Sequence, residues 1–128
     1  MDLLQQPTNR DDHYEDWHLD LDFQARSARI DLQQIRLTRK EYQVLEFLVK
    51  NAGEVVPSKV MLARIFGYCP EARTRTLHVH IRRLREKIGP YSTHYIETIF
   101  GVGYRFQPFR PTGIPGAAGG RAMGFPVN

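Results

Sequence analysis

The chain of 128 residues contains one cysteine, Cys69. A single thiol excludes an intrachain disulfide framework, and a reducing compartment is the expectation. No apolar run reaches the length that a bilayer crossing needs, so no membrane contact is expected. The opening MDLLQQPTNRDD is acidic and has no apolar segment. It does not read as a secretory signal, and the expected address is the cytoplasm. No internal repeat is visible. Catalytic constellations are missing as well. Asp20 and Asp22 share the polar face of a strand and read as solvated. Cys69 has no base beside it. The GVG at 101–103 lacks a third glycine and opens a strand, unlike a dinucleotide fingerprint. Neither an enzyme nor a cofactor is expected. His78 and His80 diverge by about 200° around a helix, so a shared metal site is not expected either.

Negative charge is also scarce, but only in the middle of the chain. Residues 1–34 carry eight acids against three bases, whereas residues 35–90 carry twelve bases against five acids. The net charge of +4 and the pI near 9.5 therefore come from the middle. Such asymmetry suggests an anionic partner. The stretch RTRTLHVHIRRLREKI, 73–88, holds six Lys/Arg and one acid, Glu86. On a helical wheel Leu77, Ile81, Leu84 and Ile88 fall together as a core face. Arg75, Val79, Arg82, Arg83 and Glu86 lie opposite. Thr76, His80 and Lys87 take one flank, His78 and Arg85 the other. A solvated surface would mix signs to gain i,i+4 pairs, and this face hardly does. Arginine forks also suit phosphates and guanine edges.

The remaining elements can be read around that helix. Residues 1–13 are polar and read as a leader or linker. WHLDLDF alternates with period two, so Trp17, Leu19, Leu21 and Phe23 should face one way in a strand. ARIDL and QIRL are the next predicted strands, with QARSA and QQ as turns. Thr38 followed by Glu41 is a capping box that starts a helix. Tyr42, Leu45, Phe47, Leu48 and Val49 supply its apolar side, and Gly53 stops it. EVVP reads as an extended link. Ser58 is expected to cap a second helix, KVMLARIF, ended by Gly67. YCPEAR is a loop. The basic helix runs from about Thr74 to Ile88, where GP ends it. YIETI and YRFQPF then flank FGVG as a hairpin. Residues 111–128 hold five Gly, three Pro and three Ala and read as a disordered tail. The expected class is α+β: a winged helix-turn-helix with an N-terminal antiparallel sheet, a three-helix core and a C-terminal hairpin wing, spanning 14–110.

Three blocks, LTRKEYQVLEFLVKNAGEVVPSKVMLARIFGY, RTLHVHIRRLREKIG and IETIFGVGYRF, stand in register with one another. Through them the stretch from Trp17 to Phe109 resembles the winged-helix effector domain of OmpR/PhoB-type response regulators. The resemblance implies a transcription regulator that binds double-stranded DNA at tandem half-sites, paired head to tail. It implies base contacts by His78, Val79 and Arg83. It implies backbone contacts by Phe66, Arg75, Thr76, His80, Arg82, Arg85, Thr98 and Tyr104. The wing tip would be Phe100, Gly101 and Gly103, and RNA polymerase would meet the loop Gly67–Arg73.

The pattern departs from the family at four places. His78 stands where Asp is common, and Phe66 where Trp is frequent. Phe100 stands where many members carry a minor-groove Arg; packing of its ring at the hairpin tip or on the sheet is the expectation, and wedging into a base step the alternative. Residues 1–16 cannot hold a receiver domain, so the chain is expected to be either a stand-alone regulator or part of a longer protein. The rival reading is a winged-helix module that docks an acidic protein partner.

Overall fold

A computed structural model of the chain describes residues 8–9, 12–67 and 74–109. The first sheet is a five-stranded antiparallel meander in the order β1 (Thr8–Asn9), β2 (His13–Glu15), β3 (Leu19–Asp22), β4 (Ser27–Ile30) and β5 (Gln33–Ile35). Thr8 and Asn9 pair with Glu15 and Tyr14, so the sheet begins inside the segment read as a leader. The period of two sets the faces. Tyr14, Leu21, Ala28 and Ile35 stand opposite one another across successive strands, as do Leu19 and Ile30. All but the half-buried Ile35 are buried. On the other face His13 and Arg29 both contact the Asp20 carboxylate, at 2.6 and 3.1 Å.

Two details of this sheet differ from the sequence reading. Trp17 does not join the inward row and is 59% exposed. The Asp16 carboxylate accepts the N–H groups of His18 and Leu19 at 3.0 and 2.9 Å, which turns the chain, and the strand starts only at Leu19. The β4–β5 turn is Asp31–Leu32, with φ of 49° and 69°, and not the two glutamines. Two consecutive left-handed residues suit the twist of a two-residue hairpin. Gln33 and Gln34 are therefore strand residues.

Helix α1 (Arg39–Lys50) starts with the expected box: Thr38 Oγ1 accepts from Glu41 N–H, and Glu41 Oε1 accepts from Thr38 N–H. Strand β6 (Val55–Pro57) follows, then α2 (Ser58–Phe66). Pro57, not Ser58, takes the cap position of α2, with no side-chain hydrogen bond. The Ser58 N–H instead donates to Val102 O at 2.9 Å, so the hairpin tip satisfies a group that a cap would otherwise meet. Helix α3 (Thr74–Ile88) buries Leu77, Ile81, Leu84 and Ile88 as its periodicity predicts. It packs against α1 and α2. A 3₁₀ turn at Gly89–Tyr91 and the single turn α4 (Ser92–Tyr95) come next, an insertion the sequence reading did not foresee.

The second sheet has three strands, with β8 (Gly103–Phe106) between β6 and β7 (Ile96–Ile99). EVVP is thus a paired strand beneath the hairpin and not a free link. One carboxylate joins the first sheet to α4 and to the segment after β8. Asp16 accepts from the Tyr14 and Tyr95 hydroxyls and from the N–H groups of His18, Leu19 and Phe109. The loop 68–73, Arg110 and the tail 111–128 lie outside the described residues, and with them Cys69.

Candidate nucleic-acid interface

The buried stripe of α3 presses the helix onto the body, so its opposite side must face outward. Arg75, His78, Arg82, Arg83 and Glu86 are exposed there, with Val79 half-buried among them. The residues expected at base edges, His78, Val79 and Arg83, therefore share one outward surface. Around the helix Arg75 and Arg82 lie between His78 on one side and Val79 and Arg83 on the other. This surface continues into a cleft of about 660 Å3 between α3, the start of α2 and the hairpin. Thr74 and His78 form one wall, Ser58 and Lys59 another, and Phe100 and Tyr104 the hairpin side. Lys59 is exposed at this cleft and was absent from the sequence-based set. Its signal was faint: one lysine at the N-terminal end of a helix, with no basic neighbours in sequence.

Other residues of the expected set make contacts within the protein. Arg85 lies on α3, but its Nη2 donates to Ile96 O and to Thr98 Oγ1, each at 2.7 Å. Its guanidinium stands 5.8 Å over the Tyr104 ring. Arg85 thus ties α3 to strand β7, and Thr98 is its acceptor. Tyr104 is 5% exposed, and its ring meets the His78 ring edge-on at 6.1 Å. Burial pushes the Tyr104 phenol up from its ordinary pKa, opposed by the Arg85 charge. The Phe66 ring is packed at 5.0 Å against His80, with Lys40 Nζ 5.3 Å from its centre. His80 Nδ1 lies 2.8 Å from Thr76 O, one turn back on the same helix. Phe66, Thr76 and His80 are all half-buried. Arg85, Thr98 and Tyr104 thus link α3 to the hairpin, and the Phe66–His80 contact links α2 to α3.

The orientation of α3 has a second anchor. Lys87 Nζ contacts Glu41 Oε1 at 2.6 Å, joining the end of α3 to the start of α1. Glu41 is almost fully buried. Burial alone would raise its pKa. The Lys87 ammonium and the Thr38 hydrogen bonds outweigh that, and the carboxyl sits below its ordinary value.

The hairpin tip overturns an expectation. Phe100 packs neither at the tip nor on the sheet: it is 89% exposed, and Val102 beside it is 47% exposed. Gly101, with φ of 79°, and the Val102 N–H donating to Ile99 O at 2.9 Å close the turn. That conformation at the third turn position favours glycine.

Residues 32–106 match the family model described as "Transcriptional regulatory protein, C terminal". The chain belongs to that family. Its relatives include the transcriptional regulatory protein SrrA of Staphylococcus aureus, 37% identical over 93 residues. That match covers 70% of this chain but only 39% of SrrA, so the chain spans about two-fifths of its relative's length. Among solved structures, the OmpR/PhoB homologue DrrB of Thermotoga maritima superposes with a TM-score of 0.68 at 31% identity, over 74% of this chain and 44% of that one. The DNA-binding domain of Klebsiella pneumoniae RstA, solved with the RstA box, has a TM-score of 0.69 at 24% identity, over 76% of this chain and 98% of that domain. The latter likeness speaks for the shared winged-helix fold. No helix among the described residues is long and apolar enough to cross a membrane.

Proposed function

We propose that the chain is a sequence-specific effector domain that binds double-stranded DNA and regulates transcription. The observation that supports this best is α3 itself. Its apolar stripe is spent on the body, and Arg75, His78, Arg82 and Arg83 are left exposed beside the hairpin tip. A helix so mounted fits the major groove, with the hairpin reaching the adjacent groove or backbone. Arg83 then forks onto a guanine edge, Val79 meets a thymine methyl and His78 faces a base edge. Arg75, Arg82 and Lys59 hold phosphates. Two copies sit head to tail on tandem half-sites, and residues 67–73 face RNA polymerase. The site of action is the cytoplasm, where a bacterial chromosome lies.

Phosphate contacts make such binding fall with salt. Neutralising three phosphates gives a slope of about −3 in log affinity against log salt. Fluorescence anisotropy of the purified chain on a random duplex, between 50 and 300 mM salt, measures that slope. A salt-independent interaction, or none at low salt, would move the reading to a module that docks an acidic protein.

A further inference from the structure

Between Ile88 and Tyr104 the chain holds no lysine or arginine. The hairpin tip therefore brings no cation of its own to an anionic partner. What it brings is hydrocarbon: the Phe100 ring, 89% exposed, and Val102. A single exposed apolar residue is ordinary on a protein surface. This one is held in an unusual way. The tip is fixed from inside by the Val102 N–H to Ile99 O bond and from outside by the Ser58 N–H to Val102 O bond. Beneath it Gly103 lies so close to β6 that a methyl there would fall 2.0 Å from Val56 O. The ring is thus presented on a rigid mount, and it borders the same cleft as His78, Thr74 and Lys59.

We propose that Phe100 is a specificity-determining wedge: its ring enters the minor groove next to the α3 site and opens a base step there. The inference rests on the DNA-binding reading above. An apolar ring cannot pair with phosphates or with the acceptors of the groove floor. Its gain on DNA comes from leaving water between partly unstacked bases. That opening costs least at pyrimidine–purine steps and more in stiff A-tracts. A narrow A-tract groove, which attracts cations, offers this tip nothing. The chain should therefore select deformability under the wing, at a position it does not read by hydrogen bonds.

The test uses a duplex recovered by selection with the full chain, carrying 2-aminopurine in turn at each flanking position that footprinting places under the wing. Binding of the native chain should raise the fluorescence about twofold or more at one step, as unstacking does. The Phe100→Ala variant should give no rise. Replacing that pyrimidine–purine step by an A-tract should weaken the native chain about five- to tenfold and the variant less than twofold. Because Phe100 is exposed, both proteins should melt at the same temperature. A clear footprint with flat fluorescence and no step preference would overturn the wedge and leave the DNA-binding reading intact. Absence of a footprint on every duplex would overturn that reading, and the wedge with it. Flat fluorescence with loss of pairing between copies in the variant would make Phe100 a protein contact and also overturn the wedge.

Discussion

Arg82 and Arg83 are adjacent and both exposed, yet they differ by about 100° around α3. They lie to either side of the outward direction of the helix, so they would reach different parts of a duplex that it enters. Arg83→Ala should cost about 1–3 kcal/mol on the selected site and relax preference at one base pair. Arg82→Ala should weaken selected and random duplexes alike and reduce the salt slope by about 1. Anisotropy titrations on both duplexes separate the two, and equal losses in both variants would void the assignment. Arg85 belongs to a different class. Arg85→Lys keeps the charge but loses the planar guanidinium over the Tyr104 ring and shortens the reach to Ile96 O and Thr98 Oγ1. It should lower stability by about 1 kcal/mol and speed amide exchange in Ile96–Ile99. A purely DNA-contacting arginine would leave that exchange unchanged. The outward face of α3 was legible because helical period alone separates Leu77 and Ile81 from Arg82 and Arg83. The inward turn of Arg85 was not, because its acceptors lie eleven and thirteen residues onward. Still longer separations along the chain hid the burial of Tyr104 and Lys59's place at the cleft.

Local rules carried the helices further than the turns. Thr38 and Glu41 announce α1, since both partners of the box lie within one turn. The start of α2 escaped, since its first N–H is met by Val102, far along the chain. The hairpin at Asp31–Leu32 escaped too, because a leucine with positive φ contradicts its own preference and is held by strand register. Glu41 joins local to distant order. Its folded pKa lies below the ordinary value of 4.5. The stabilisation is therefore complete above that value and is lost as pH falls through the lower, folded one. Glu41→Gln should cost about 1–2 kcal/mol at pH 7, discounted because the Lys87 side chain is 37% exposed. It should also flatten the decline in stability below pH 4.5. Urea unfolding at steps from pH 3 to 7 reads both, and parallel curves for the two proteins would contradict the account.

Across the whole molecule, the sheets and helices hold one surface in place. Asp16 joins the first sheet to Tyr95 and Phe109 around the second. Glu41–Lys87 sets one end of α3, and Arg85 sets the hairpin against it. Charge follows the same division, with acids gathered in residues 1–34 and bases in residues 35–90. Such a surface should read a base sequence and not merely adhere to polyanions. Selection of binders from a randomised duplex pool by the purified chain tests it most directly. One half-site repeated in the same direction should be enriched, with a spacing near a helical turn of about 10 base pairs. A pool that is retained at low salt yet emerges with no enriched sequence would contradict it.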